Sequence, residues 1–381
     1  MKRIESIPIF RFLAAMVIVI FHYGNSTRLA QIADPLIISG QQMVSFFFVL
    51  TGFVLMISHF NKENENPKDF YISRFARIAP IYMIALAVII YWVFSPTSNT
   101  HGYPAILLNA TFLQAWFPPY PTTLNYPAWA ISIEVFFYLI FPLVVWVIRK
   151  SNISWKKLAI LSLVFYLFTQ ALMSNLLSSD FYIGFPSASH DLLYYFPPVH
   201  LCSYFLGISG GYLYVKNKER FNKPGIKPLI ILLIMLLLNF CLLQYPEQLG
   251  QIVGIPLAYG SSFYSLPFLL LILSLAYANN ILTKGLSLPI FVLLGEASYS
   301  IYILQAPFNI YYKAHFSTFV SGYFGANKDM DFFVFVVLLI LISILSLYII
   351  EKPARKIILK FYDQVSLKKD QSVPIKENEN Q

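Results

Sequence analysis

The chain has 381 residues, 57% of them hydrophobic and only 12% charged, with a formal charge of +9 and a mean hydropathy of +0.63. Those values exclude an ordinary soluble domain and point to a protein whose solvent is largely lipid. The positive charge reads as membrane topology and attraction to anionic headgroups, and no nucleic-acid partner is expected.

A helix needs about 20 mostly apolar residues to cross a bilayer, and ten such stretches are expected, near 7–24, 40–60, 79–95, 129–148, 158–176, 198–215, 228–245, 255–278, 289–311 and 332–350. The first contains RFLAAMVIVIFH, which starts at Arg11 and ends at His22. The N-terminal stretch resembles a signal peptide, but Arg11 interrupts its apolar part and no small-x-small cleavage site follows, so it reads as a retained helix. Placing the N-terminus in the cytoplasm puts 23 of the 27 Lys and Arg residues on inner segments, leaving Arg28, Lys313 and Lys328 outside and Arg11 within a span. That bias predicts an all-α integral membrane protein with about ten spans and both termini cytoplasmic.

Between the third and fourth spans, residues 95–128 hold six prolines and the short apolar run AILLNATFLQAWF. This run is too short to span, and two readings stand: a re-entrant or interfacial piece over a cavity mouth, or an aromatic belt with stiff turns. After Glu351, KPARKIILKFYDQV suits a basic helix on the inner leaflet, and the final dozen or so residues have the composition of a disordered tail. The expected division is therefore 1–355 as one membrane-embedded domain and 356–381 as a juxtamembrane segment and tail, with no soluble catalytic domain appended. Cys202 and Cys241 both fall in spans with no ligand-like spacing, so neither a disulfide framework nor a metal site is expected.

Ionisable groups inside spans cost on the order of 2.5–3.5 kcal/mol each on insertion scales, so each needs a partner or a purpose. Arg11 and His22 are separated by three turns plus roughly 20°, with a rise of about 16 Å, and so share a face at different depths. Either they escape separately to the two interfaces or they line one cavity. Glu134, in WAISIEVFFYLIFPL, falls at a depth similar to His22, which makes an imidazole–carboxylate pair geometrically possible and gives a general base for a hydroxyl. On the inner side, Arg74 and Arg77 in SRFARIAPIY lie at i and i+3, where guanidinium forks match phosphate oxygens. Positive-inside arginines with no ligand are the alternative. Thr51–Gly52 marks close helix packing, and Glu296 is expected to face the cytoplasm.

Arg-x10-His, FFFVLTGF, RFARIAPIY, WAISIEVFFYLIFP, LLGEASYSIYILQAP and IEKPARK stand in the order seen in the acyltransferase 3 family of integral membrane O-acyltransferases, which this chain resembles from about Ile7 to Arg355. The resemblance implies a ten-helix enzyme of the bacterial inner membrane that takes an acyl group, usually acetyl, from cytoplasmic acyl-CoA. The acceptor it implies is a hydroxyl on a surface polysaccharide, lipid-linked glycan or peptidoglycan. By motif, Arg11 and His22 match the family's Arg–His pair, Arg74 and Arg77 its donor-side arginines, and Glu134 its acidic position after Trp. His22 and Glu134 are thus the expected catalytic pair, and Arg11, Arg74 and Arg77 the expected acyl-CoA site. Three features depart from the pattern: Gln305 where many relatives have histidine, His200 and Ser203 where arginine and glutamate are frequent, and no fused periplasmic esterase-like domain. The rival readings are a flippase for a lipid-linked glycan and a non-catalytic scaffold; no paired halves with matching broken helices favour the first.

Overall fold

The computed structural model describes residues 4–62, 65–93, 102–253 and 262–371. Helices stand at all ten expected positions: α1 (Ile7–Tyr23), α2 (Met43–His59), α3 (Pro67–Val93), α4 (Trp129–Ser151), α5 (Trp155–Leu177), α6 (Leu201–Lys216), α7 (Ile226–Gln244), α8 (Ser265–Tyr277), α9 (Pro289–His315) and α10 (Lys328–Ser346). There is no strand among the described residues. Among the described residues, seven helical stretches are long and apolar enough to cross a membrane, while α1 and α8 are shorter and α6 has 16 residues.

Two boundaries differ from the sequence expectation. α3 begins at Pro67 rather than near 79. Proline suits the first turn of a helix because its missing N–H has no partner to lose there, whereas a reading based on apolarity starts only after the charged turns. α8 begins at Ser265, and most of the earlier part of its expected span, 254–261, lies outside the described residues.

The outer faces of the bundle are apolar. Leu143 and Trp146 of α4, Val164 and Phe168 of α5, and Ile234 and Leu237 of α7 are all more than half exposed. In water this belt would be an aggregation surface; in a bilayer it is the face that meets lipid tails.

The centre is α6 against α2, an approach that only glycine permits. A Cβ on Gly207 would lie 2.0 Å from the Val49 carbonyl oxygen, and one on Gly52 would lie 2.3 Å from that of Tyr204. The Thr51–Gly52 reading is met: small residues let two backbones touch. A third close approach sets the functional helices, because a Cβ on Gly295 of α9 would lie 2.2 Å from the Pro8 carbonyl oxygen of α1. α1 therefore packs along α9, which also contacts α3 and α10.

Residues 102–128 form a folded cap. They hold a helix at Gly102–Ala110 and 3-10 turns at Gln114–Trp116 and Tyr126–Ala128. The cap is tied to three helices: Tyr82 donates to the Asn109 carbonyl at 2.8 Å, Ser132 to that of Phe112 at 2.5 Å, and Tyr302 to that of Pro127 at 2.8 Å. After α10 a single π-helical turn, Leu347–Glu351, leads into α11 (Lys352–Gln371). α11 packs on α3 and runs without interruption through the expected domain boundary at 355. Its exposed Ile357, Phe361 and Val365 form one stripe. The tail expected to be disordered falls, from 372 on, outside the described residues.

Candidate active site

The expected site residues fall into two groups. The first is a cluster of partly buried charges between α3, α4, α9 and the π-helical turn. Arg77 lies within electrostatic range of Glu134, Tyr138, Tyr299 and Glu351, and Arg74 within range of Tyr138, Arg77, Arg355 and Glu134. Tyr138 donates to Glu134, one turn away on α4. Arg74 also sits over the Phe70 ring, 5.6 Å from its centroid. Tyr299 donates to the Ile78 carbonyl at 2.8 Å and so locks α9 to α3 beside the arginines. Arg11 joins through Glu351, which accepts from Ser300 and has both Arg77 and Arg11 in range. The three guanidinium groups expected at one site are thus linked, through two carboxylates, in the structure.

Glu351 was not singled out from sequence, although it stands in the closing IEKPARK. It sits on the π-helical turn, a local widening of the helix often found at functional sites. The Glu296 carboxylate lies 3.4 Å from Nζ of Lys352, the residue that follows Glu351.

The second group surrounds His22. A cavity of ≈ 110 Å³ is lined by His22, Gln41, Thr122, Tyr126, Trp129, His190, Tyr194, Tyr195 and Tyr302, among others. The cap thus contributes Thr122 and Tyr126, and the segment before α6 contributes His190 from a short helix, Ala188–Tyr194. The His22 ring packs edge-on against Tyr126, with centroids 4.7 Å apart. His190 stacks on Tyr194 at 4.2 Å, and Tyr182 approaches its Nδ1 at 3.2 Å. Beside it, burial pushes the Asp191 carboxyl up to about 6. Nothing in the sequence pattern pointed to His190, which lies on a short helix in the connection between α5 and α6. The cap is therefore the cavity cover of the two readings given for that segment.

The structure corrects one expectation. The partner of the His22 ring is Gln305, whose Oε1 is 2.8 Å from Nδ1, while Glu134 accepts from Tyr138 and lies within electrostatic range of Arg74, Arg77, Tyr299 and Tyr302. The reason is helix packing. Gly295 draws α1 onto α9, which brings Gln305 to the imidazole, while Glu134, five residues past Trp129 and hence about 7.5 Å deeper along α4, meets the side chains of α3. His200 is a core residue: fully buried, it pairs Nε2 with the Tyr194 carbonyl at 3.1 Å and packs on Phe48 and Trp129. Ser203 accepts from Ser265 at 2.8 Å.

The sequence model of a family described as "Acyltransferase domain" matches residues 4–352. The chain belongs to the acyltransferase 3 family. Among curated members, "Acyltransferase MdmB" of Streptomyces mycarofaciens is 27% identical over 320 residues, 80% of this chain and 78% of its own length. A Staphylococcus aureus (strain COL) protein named "Putative O-acetyltransferase" is 23% identical over 384 residues, which cover 93% of this chain but 58% of that protein. An uncharacterized protein of Haemophilus influenzae is 26% identical over 231 residues, 56% of this chain and 92% of its own length. No solved structure matches. Acyltransferase 3 membership makes the chain an O-acyltransferase.

Proposed function

We propose that the protein moves an acyl group, most simply acetyl, from cytoplasmic acyl-CoA to a hydroxyl of an extracytoplasmic or lipid-linked glycan. On this reading all ten helices cross a bacterial inner membrane and both termini are cytoplasmic. The short α1, α6 and α8 cross where neighbouring helices, rather than lipid, surround them. The observation that carries the reading is the separation of charge: a guanidinium cluster of Arg11, Arg74 and Arg77 at one level, and an aromatic cavity around His22 at another, both served by α1 and α9.

Arg11, Arg74 and Arg77 hold the anionic parts of acyl-CoA, since guanidinium forks match phosphate oxygens and gain strength where water is scarce. Glu134 and Glu351 keep these cations ordered. The unbranched pantetheine arm carries the thioester toward His22. In the cavity, the rings of Tyr126, Trp129 and Tyr194 suit a sugar, which has apolar C–H faces and a hydroxyl edge. His22 removes the proton of the acceptor hydroxyl, the oxygen attacks the thioester carbonyl, a C–O bond replaces the C–S bond, and the imidazolium returns its proton to the departing thiolate. No metal is called for.

Mass spectrometry of surface glycans from cells with and without the protein tests the reading, with an acyl increment lost in the deletion and restored by the wild-type chain but not by His22→Ala. Vesicle assays separate it from a flippase. Acceptor-dependent release of free CoA thiol supports the enzyme, and glycan movement without acyl donor contradicts it.

A further inference from the structure

His22 and Gln305 meet where α1 packs on α9, with Nδ1 and Oε1 2.8 Å apart. Which atom carries the hydrogen is decided one bond farther away. The Gln305 Nε2 lies 2.8 Å from the carbonyl oxygen of Tyr302, a group that only accepts, so the amide nitrogen must face it. Turning the amide over would set two carbonyl oxygens against each other at Tyr302, a repulsion between buried acceptors that the observed orientation avoids. Gln305 is also fully buried, so water cannot make up for a reversed amide. With Oε1 aimed at the imidazole, the contact is a hydrogen bond only if Nδ1 bears the proton. A neutral imidazole has one N–H, and Nε2 then keeps the lone pair.

We propose that Gln305 is a positioning residue that holds His22 in the Nδ1–H tautomer, leaving Nε2 as the atom that takes the acceptor proton. The inference rests on the reading of His22 as the base. It differs from the familiar carboxylate-oriented imidazole in one physical respect: a neutral amide selects the tautomer without supplying a countercharge. The cavity therefore stays uncharged until the proton moves. The other groups around the ring are Tyr23 of the same helix and Tyr126 of the cap, with His190 across the cavity. The imidazole Nδ1 is held by Gln305.

The test is nitrogen NMR of the full chain in lipid nanodiscs with ¹⁵N-histidine. The protein has six histidines, and the His22 signals are those absent from His22→Ala. The expected result is a protonated Nδ1 and a bare Nε2 in wild type, the same pattern in Gln305→Glu, which still accepts at that position, and the Nε2–H form in Gln305→Leu. Acetyl-CoA turnover with a membrane glycolipid extract should show kcat lower by about 10–100-fold in Gln305→Leu, as for other residues that orient a reactive imidazole, while KM for acetyl-CoA stays within about twofold. A wild-type His22 protonated at Nε2 overturns the proposal, even if Gln305→Leu does not fold, and so does a folded Gln305→Leu with wild-type kcat. Turnover by His22→Ala would instead remove the base assignment while the tautomer stood.

Discussion

Asn125 donates its amide to the carbonyl oxygen of Ile303 at 3.0 Å, filling a vacancy made by Pro307. In an α-helix the Ile303 carbonyl would accept from residue 307, and proline has no N–H to give. The cap thus closes over the cavity by completing the backbone of the helix that carries Gln305.

This pairing predicts an interaction between distant positions. Asn125→Ala should destabilise by about 1–3 kcal/mol, because it leaves a buried carbonyl unpaired. In a Pro307→Ala background the restored N–H can serve that carbonyl, so the same change should cost much less. Thermal unfolding of the four proteins in one detergent completes the cycle; equal losses in both backgrounds would show that the hydrogen bond does not couple cap and helix.

The α2–α6 contact leaves no room for a methyl group. Gly207→Ala would press a Cβ onto the Val49 carbonyl, and Gly285→Ala, where nothing lies within 4 Å, is its control. Overpacking of this kind costs on the order of 1–3 kcal/mol. A lower midpoint for Gly207→Ala and an unchanged one for Gly285→Ala are expected in the same thermal assay.

Asp191 makes a prediction about pH. Its carboxyl is pushed up to about 6 by burial, well above the ordinary range of an aspartate. An acid whose pKa is raised by folding stabilises the fold below its unfolded pKa, and that contribution is lost as pH rises through the folded one. Stability should therefore decline between pH 4 and 6. Asp191→Asn should flatten that decline, measured by unfolding midpoints across the interval; an unchanged slope would place the loss elsewhere.

Much of this was legible from residue order. Apolar runs located the ten helices, because hydropathy records directly which segments avoid water. The family resemblance implied the roles of Arg11, Arg74, Arg77, His22 and Glu134. Their partners were not legible. Matching depth suggested Glu134 for His22, but depth fixes one coordinate and helix packing fixes the other two. The approach of Pro8 to Gly295 selects Gln305 instead. Glu351 escaped notice because its position depends on a π-helical turn, and His190 because it reaches the cavity from a short connecting helix with no motif of its own.

For the donor side, purified protein should bind acetyl-CoA with an affinity that falls as salt rises, since salt screens the long-range attraction between the anionic ligand and the cationic cluster. Arg74→Ala should weaken binding by about 10–100-fold, in line with the loss of one charged hydrogen bond of about 1.5–3 kcal/mol. Calorimetry at two salt concentrations reads both effects, and affinity indifferent to both would remove the arginines from the donor site.

The most direct measurement is release of free CoA thiol from acetyl-CoA by the protein in proteoliposomes supplied with a membrane glycolipid extract, comparing wild type with His22→Ala. Acceptor-dependent release by wild type, and none by a His22→Ala protein that still inserts and still binds acetyl-CoA, is the predicted result. Equal release by the two proteins would contradict the account.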